Sequence, residues 1–267
     1  MRSLKKFRLL FLISVYSNKG LNKMTHKTTP KMILFDVGGT LFADGKFSAL
    51  DGLSALRKAS LNPEATNDGT LLSLWDEFEN KVKAFLPSSF ELPLSATLKY
   101  VIHNSRLKFN MTLPELEELF DRENSPRQVI DFVPELLCTL KKLGIRTAVI
   151  SNNAMSSEGL TLALNRWLPD NDFEFVLTSA DFVFPKPHSE LFLSAASSAG
   201  LNPSQCMYCG DAFIADIKGS LDAGMSAVLL AKSSDTEIES CTDDTRREYL
   251  RVNSWNALRS YLLQLFE

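Results

Sequence analysis

The 267 residues contain only four cysteines, Cys138, Cys206, Cys209 and Cys241. That is too few for a disulfide framework and suggests a reduced compartment. Cys206 and Cys209 form a C-x-x-C, but Cys206-Met-Tyr-Cys209 reads as a strand, in which positions three apart face opposite sides. No second such pair exists to complete a zinc site, so buried structural thiols are expected. The three histidines give no separate site: His26 precedes the first strand, His103 lies in a helix beside Asn104 and Ser105, and His188 follows Lys186-Pro187. The apolar stretch Leu9–Tyr16 is too short to span a bilayer. Repeats and low-complexity tracts are missing as well.

An excess of cationic charge is confined to one end. Residues 1–31 carry eight Lys/Arg and no acid, which leaves 21 basic against 32 acidic residues beyond them, about −11. Such a body is a poor partner for nucleic acid. Residues 1–31 read as an extension outside the fold. Their basic start and apolar stretch resemble a weak secretory signal, with Val15 and Ser17 as small residues before a cleavage point. The competing reading is a start placed upstream of Met24 or Met32, and it is the one expected, with a cytoplasmic protein as the consequence. Export follows instead if residues 1–17 are a true signal.

The remainder is ordinary globular material, 45% hydrophobic and 23% charged. Lys31–Val37 reads as a buried strand ending at Gly38-Gly39. From Phe47 to about Phe120 apolar residues recur at three- and four-residue spacing, with breaks at Asn62-Pro63, Pro87-Ser88-Ser89, Pro93 and Pro114. The aromatic residues there (Trp75, Phe78, Phe85, Phe90, Tyr100, Phe109) are expected in the core. After Pro126 helices at Pro134–Leu143, Ser157–Trp167, Ser189–Ala199, Ile214–Ala223 and Ser254–Phe266 alternate with strands at Arg146–Ile150, Glu174–Leu177, Cys206–Tyr208 and Ala227–Leu230. The run Asp235–Glu248, dense in acids, reads as a solvated loop or frayed helix. The closing helix is expected to pack on the sheet. This pattern predicts an α/β fold, a doubly wound parallel sheet with right-handed crossovers, and an inserted α-helical cap. The core is 32–45 and 127–267, and the cap 46–126.

In such a sheet ligands bind beyond the carboxyl ends of the strands. Those positions here hold Asp36-Val37-Gly38-Gly39-Thr40, Ser151-Asn152-Asn153, Phe184-Pro185-Lys186-Pro187, Gly210-Asp211 and Asp216. Each has a bland reading taken singly: Ser151 a helix cap, Lys186 a surface charge, Asp216 a first-turn acid. Together they suit a phosphate monoester. A carboxylate can attack phosphorus, a cation held by carboxylates screens the repulsion, and a lysine and a hydroxyl hold the equatorial oxygens.

Four segments in order, Phe35-Asp-Val-Gly-Gly-Thr-Leu41, Ala148-Val-Ile-Ser-Asn152, Lys186-Pro187, and Gly210-Asp211 with Asp216, resemble the motifs of the haloacid dehalogenase-like (HAD) hydrolase superfamily. The likeness covers about 32–231, and the helical insertion resembles the small-cap (C1-type) subclass on a Rossmann-like core. It implies a Mg²⁺-dependent hydrolase, a phosphatase acting on a small phosphorylated metabolite through an aspartyl-phosphate. Asp36 would be the nucleophile. Asp36, Asp211, Asp216 and the Gly38 carbonyl would hold the metal, while Gly39, Thr40, Ser151, Asn152 and Lys186 would hold the phosphoryl group. The departure is Gly38, where the family's phosphatases carry a second Asp that protonates the leaving group, help worth about 10²–10⁴ in rate. Activity is therefore expected to be weak or specialised. Asp44 is the nearest acid that could substitute, although capping the turn is its simpler reading. A dehalogenase needs no such acid but lacks the Gly-Asp pair of the fourth motif. A non-catalytic binding module would not need the whole set. Sugar kinases with an actin-like fold share Asp-Val-Gly-Gly-Thr, yet Lys46–Ser60 has a helical pattern where they continue as a hairpin.

Overall fold

The computed structural model describes residues 29–43, 45–85, 91–182 and 184–266. The readings made for residues 1–28, which include His26, and for Asp44 and Phe90 lie outside that range.

The seven-stranded sheet has the order β5-β4-β1-β6-β7-β9-β8. Its strands are β1 Met32–Phe35, β4 Arg146–Ser151, β5 Phe173–Thr178, β6 Cys206–Gly210, β7 Ser226–Leu230, β8 Ile238–Thr242 and β9 Glu248–Val252. All neighbours are parallel except β8 and β9. From β1 the chain order runs outward to β4 and β5 on one side and to β6 and β7 on the other, which makes the carboxyl end of β1 the switch point. A separate antiparallel pair joins β2 Phe42–Ala43 to β3 Gln128–Val129.

Every residue of β1 is fully buried, as expected of a central parallel strand covered on both faces. Alternation sorts its neighbours. Ile33, Phe35, Met207 and Cys209 belong to one core, and Met32, Leu34, Cys206 and Tyr208 to the other. The two thiols therefore lie on opposite faces of β6 and, like Cys138 and Cys241, are free. On the first face lie α5 Val133–Lys142, α6 Ser157–Trp167 and α10 Trp255–Leu265; on the second lies α8 Ser189–Ser198. Four helices stand between β2 and β3: α1 Ala49–Ala59, α2 Asp68–Lys83, α3 Leu94–Ser105 and α4 Leu113–Asn124. Their side chains (Leu53, Leu71, Trp75, Leu98, Phe120) join the first core. Trp75 stacks on Phe120 at 4.9 Å. Among the described residues no helix is long and apolar enough to cross a membrane.

Several expectations need correction. The acid-rich run is a hairpin: Asp243 accepts from the amides of Thr245 (2.9 Å) and Arg247 (2.8 Å), so its carboxylate builds the turn between β8 and β9. Those hydrogen bonds outweigh burial and hold its pKa well below the carboxylate range. Strand β9 has no counterpart in the sequence reading, and β8 makes the sheet mixed rather than wholly parallel. Residues Phe213–Lys218 form a π-helical turn before the one-turn helix α9 Gly219–Asp222, not one continuous helix. The one-turn helix α7, Ser179–Phe182, follows β5. Phe85 is 86% exposed instead of core. The closing helix does pack on the sheet, with Trp255, Leu258 and Leu262 fully buried.

Candidate active site

In the sheet register Phe35 is level with Val149 of β4 and with Cys209 of β6. Just beyond these levels Asp36, Ser151 and Asp211 all line one cleft of about 910 Å³. Its other wall comes from the four-helix block, including Trp75, Leu94, Phe120 and Asp121. His188 does not reach it. That residue caps α8 by accepting from the Glu190 amide and stacks on Phe184 at 4.6 Å.

Lys186 is the hub. Its ammonium, buried at the edge of the cleft, donates to Asp36 Oδ1 (2.6 Å), Asp216 Oδ1 (2.7 Å) and the Tyr208 hydroxyl (2.8 Å). A charge at this depth is tolerable only with partners on every donor. The loop that carries it is pinned by Asn152, whose side chain accepts from the Lys186 amide (2.7 Å) and donates to the Lys186 carbonyl (3.0 Å). Asp216 accepts from the Ala212 amide through its other oxygen (2.9 Å).

The loop after β1 folds back on itself, with the Leu41 and Phe42 amides donating to the Val37 carbonyl. Gly39 sits there at φ 70°, and a Cβ on it would lie 1.9 Å from Asp211 Oδ2. Gly210 admits Asp216 in the same way, a Cβ there lying 2.3 Å from Asp216 Oδ2. Two glycines thus clear the space in which carboxylates gather. Oxygens of Asp36, Asp211 and Asp216 all lie within 4.8 Å of one another, a donor set suited to a hard divalent cation. Burial is the main force that raises the Asp36 carboxyl to about 6; Lys186 opposes the rise and Asp216 adds to it. Burial and Asp216 also raise Asp211.

The carboxylates expected as nucleophile and metal ligands are thus assembled, and Gly38 lines the same cleft. Of the expected phosphate contacts, Gly39, Ser151, Asn152 and Lys186 line that cleft and Thr40 does not. Thr40 is fully buried and away from the cleft, and its hydroxyl has no partner. The Gly39 amide donates to the Phe42 carbonyl (2.8 Å), Asn152 is engaged with the Lys186 backbone, and all three Lys186 donors are occupied. Ser151 alone keeps an open hydroxyl, with only a long contact (3.4 Å) to the Asn152 carbonyl. Tyr208 was missed by sequence reasoning, although a phenol in the middle of an apolar central strand was a usable signal.

A Gly39→Ala substitution is expected to displace Asp211 and to lower divalent-cation affinity about 10- to 100-fold, the range seen when a ligand loses its support. Titration calorimetry with the metal reads this, and an unchanged affinity would dissociate Gly39 from the cation site.

A family model described as haloacid dehalogenase-like hydrolase matches residues 72–230, more than half the chain. A Mus musculus protein named haloacid dehalogenase-like hydrolase domain-containing protein 3 is 31% identical over 122 residues, 45% of this chain and 47% of its own. That match spans about half the relative's length. A Methanopyrus kandleri protein named glyceraldehyde 3-phosphate phosphatase is 23% identical over 80% of this chain and 89% of its own. The crystal structure of a 2-haloacid dehalogenase from Pseudomonas syringae pv. Tomato DC3000 superimposes with TM-score 0.54 at 21% identity, covering 90% of this chain and all of the other. At that identity it is the fold that is shared.

Proposed function

The chain belongs to the haloacid dehalogenase-like hydrolase family and is a hydrolase; we propose that it is a Mg²⁺-dependent phosphatase acting on a small phosphomonoester. The observation that carries this reading is the convergence of Asp36, Asp211 and Asp216 around the Lys186 ammonium beside Ser151. The relative named as a phosphatase, aligned over most of its length, supports it. Three carboxylates against one ammonium leave negative charge where a phosphate dianion must arrive. Asp36, Asp211, the Gly38 carbonyl and Asp216 would hold a Mg²⁺ ion, which would supply the charge neutralisation that approach requires.

An Asp36 carboxylate oxygen bonds to phosphorus as the ester P–O bond breaks, giving an aspartyl-phosphate and an alkoxide. The alkoxide takes its proton from solvent, since position 38 brings no acid. Water then attacks phosphorus, the Asp36 carboxylate leaves, and inorganic phosphate is released. Ser151 donates to a phosphoryl oxygen. Lys186 fixes Asp36 Oδ1 and neutralises the pair it bridges. Residues 46–126 act as the cap that closes the cleft over the substrate.

The test is hydrolysis of an activated aryl phosphate by the full chain. Turnover is expected with Mg²⁺ and is expected to fall to the buffer blank in Asp36→Asn or with EDTA. Turnover indifferent to both would overturn the reading. Because Asp36 titrates near 6, protonation competes with the cation below that pH. Metal affinity is expected to fall about tenfold per pH unit there, with protons released on binding near pH 6, and saturating Mg²⁺ should move the acid limb of the rate profile to lower pH.

A further inference from the structure

We propose that Tyr208 is a positioning residue of this active site, its hydroxyl serving as the third anchor that aims Lys186 at the two carboxylates. The inference rests on the phosphatase reading for its catalytic consequence, but its structural basis is separate. An ammonium has three donors and no acceptor. Two donors reach Asp36 and Asp216 and the third reaches Tyr208, so the hydroxyl completes the pairing of the one buried lysine among the described residues. Tyr208 is itself fully buried. Its hydroxyl accepts from Nζ at 2.8 Å and donates to the Ile150 carbonyl at 2.8 Å, one residue before Ser151. Its ring packs edge-on against Phe192 at 5.0 Å, which fixes the oxygen's position. The anchor therefore ties the end of β4 and the middle of β6 to the ammonium that sets the direction of Asp36 Oδ1. Phenylalanine would keep the packing and lose only the oxygen.

Tyr208→Phe is expected to lower kcat for an aryl phosphate about 10- to 100-fold, as for loss of a hydrogen bond to a charged group. KM should stay within about twofold, because the substrate never touches this oxygen. Rates are normalised to the folded fraction. The second measurement needs no activity. In protein labelled with ¹⁵N-lysine, the Lys186 ammonium, identified by its loss in Lys186→Met, should give an exchange-protected resonance whose hydrogens exchange at least about tenfold faster in Tyr208→Phe. Unchanged exchange together with an unchanged kcat would overturn the proposal, as would a fall in kcat that KM shares. A wild type inert towards every phosphate would defeat the phosphatase reading alone, and the exchange rates would still decide whether Tyr208 holds the lysine.

Discussion

Replacing Gly38 by Asp is expected to raise turnover of an unactivated alkyl phosphate about 10²–10⁴-fold, the usual worth of general acid–base help. Gly38 follows Asp36 by two residues, lines the same cleft and lacks the left-handed φ of Gly39, so an aspartate enters without backbone strain. The new carboxyl group can protonate the departing alkoxide and then take a proton from the attacking water. An aryl leaving group needs no such proton, and its gain should be much smaller. Steady-state kinetics on a matched alkyl and aryl pair therefore separates acid catalysis from a general improvement of the site. Equal gains on both esters would exclude the leaving-group explanation.

Lys186→Met is expected to destabilise the fold by about 3–5 kcal/mol, the range for breaking a buried ion pair from one side. Methionine fills the stem of the lysine but leaves Asp36 and Asp216, both under 10% exposed, facing each other without a counter-charge. The sign of the pH dependence follows. With Lys186 gone, the opposing attraction on Asp36 disappears, so its carboxyl rises further above its unfolded value. The folded state then binds more protons than the unfolded one, and stability falls as pH rises through that window. Urea midpoints of the variant should therefore recover on going from pH 8 to pH 5. A midpoint equal to that of wild type at pH 8 would mean that the network adds nothing to stability.

The alternation of β and α units was legible because buried parallel strands are short apolar runs and their covering helices carry a 3.6-residue period. Position at strand ends then predicted the meeting of Asp36, Asp211 and Asp216 that the fold shows. What stayed hidden was the direction and occupancy of polar groups. Thr40 belongs to the correct loop but turns inward, and no motif states which way a hydroxyl points. Asn152 and Gly39 are bound to backbone partners that only the folded chain supplies. Glutamate is rarely buried, yet Glu117, in Leu-Pro-Glu-Leu-Glu-Glu-Leu, is fully buried and accepts from the Ser156 amide just before α6 (3.1 Å). The β8–β9 hairpin escaped because its cross-strand pairing uses charge, Arg251 with Glu239, where a strand pattern asks for apolar alternation.

The Trp255 indole donates to the Thr40 carbonyl at 2.8 Å, across 215 residues of sequence. A chain emerging from the ribosome has therefore completed Asp36, the Lys186 loop and the carboxylates of Asp211 and Asp216 before the prop beneath the first loop exists. At about 5–20 residues per second the stretch from Asp216 to Trp255 takes about 2–8 seconds. During it the loop after β1 has no hold on its Thr40 carbonyl, so that loop is the last part of the cleft to set, and chains cut short of α10 would carry Asp36, Gly38 and Gly39 beside an unbraced turn.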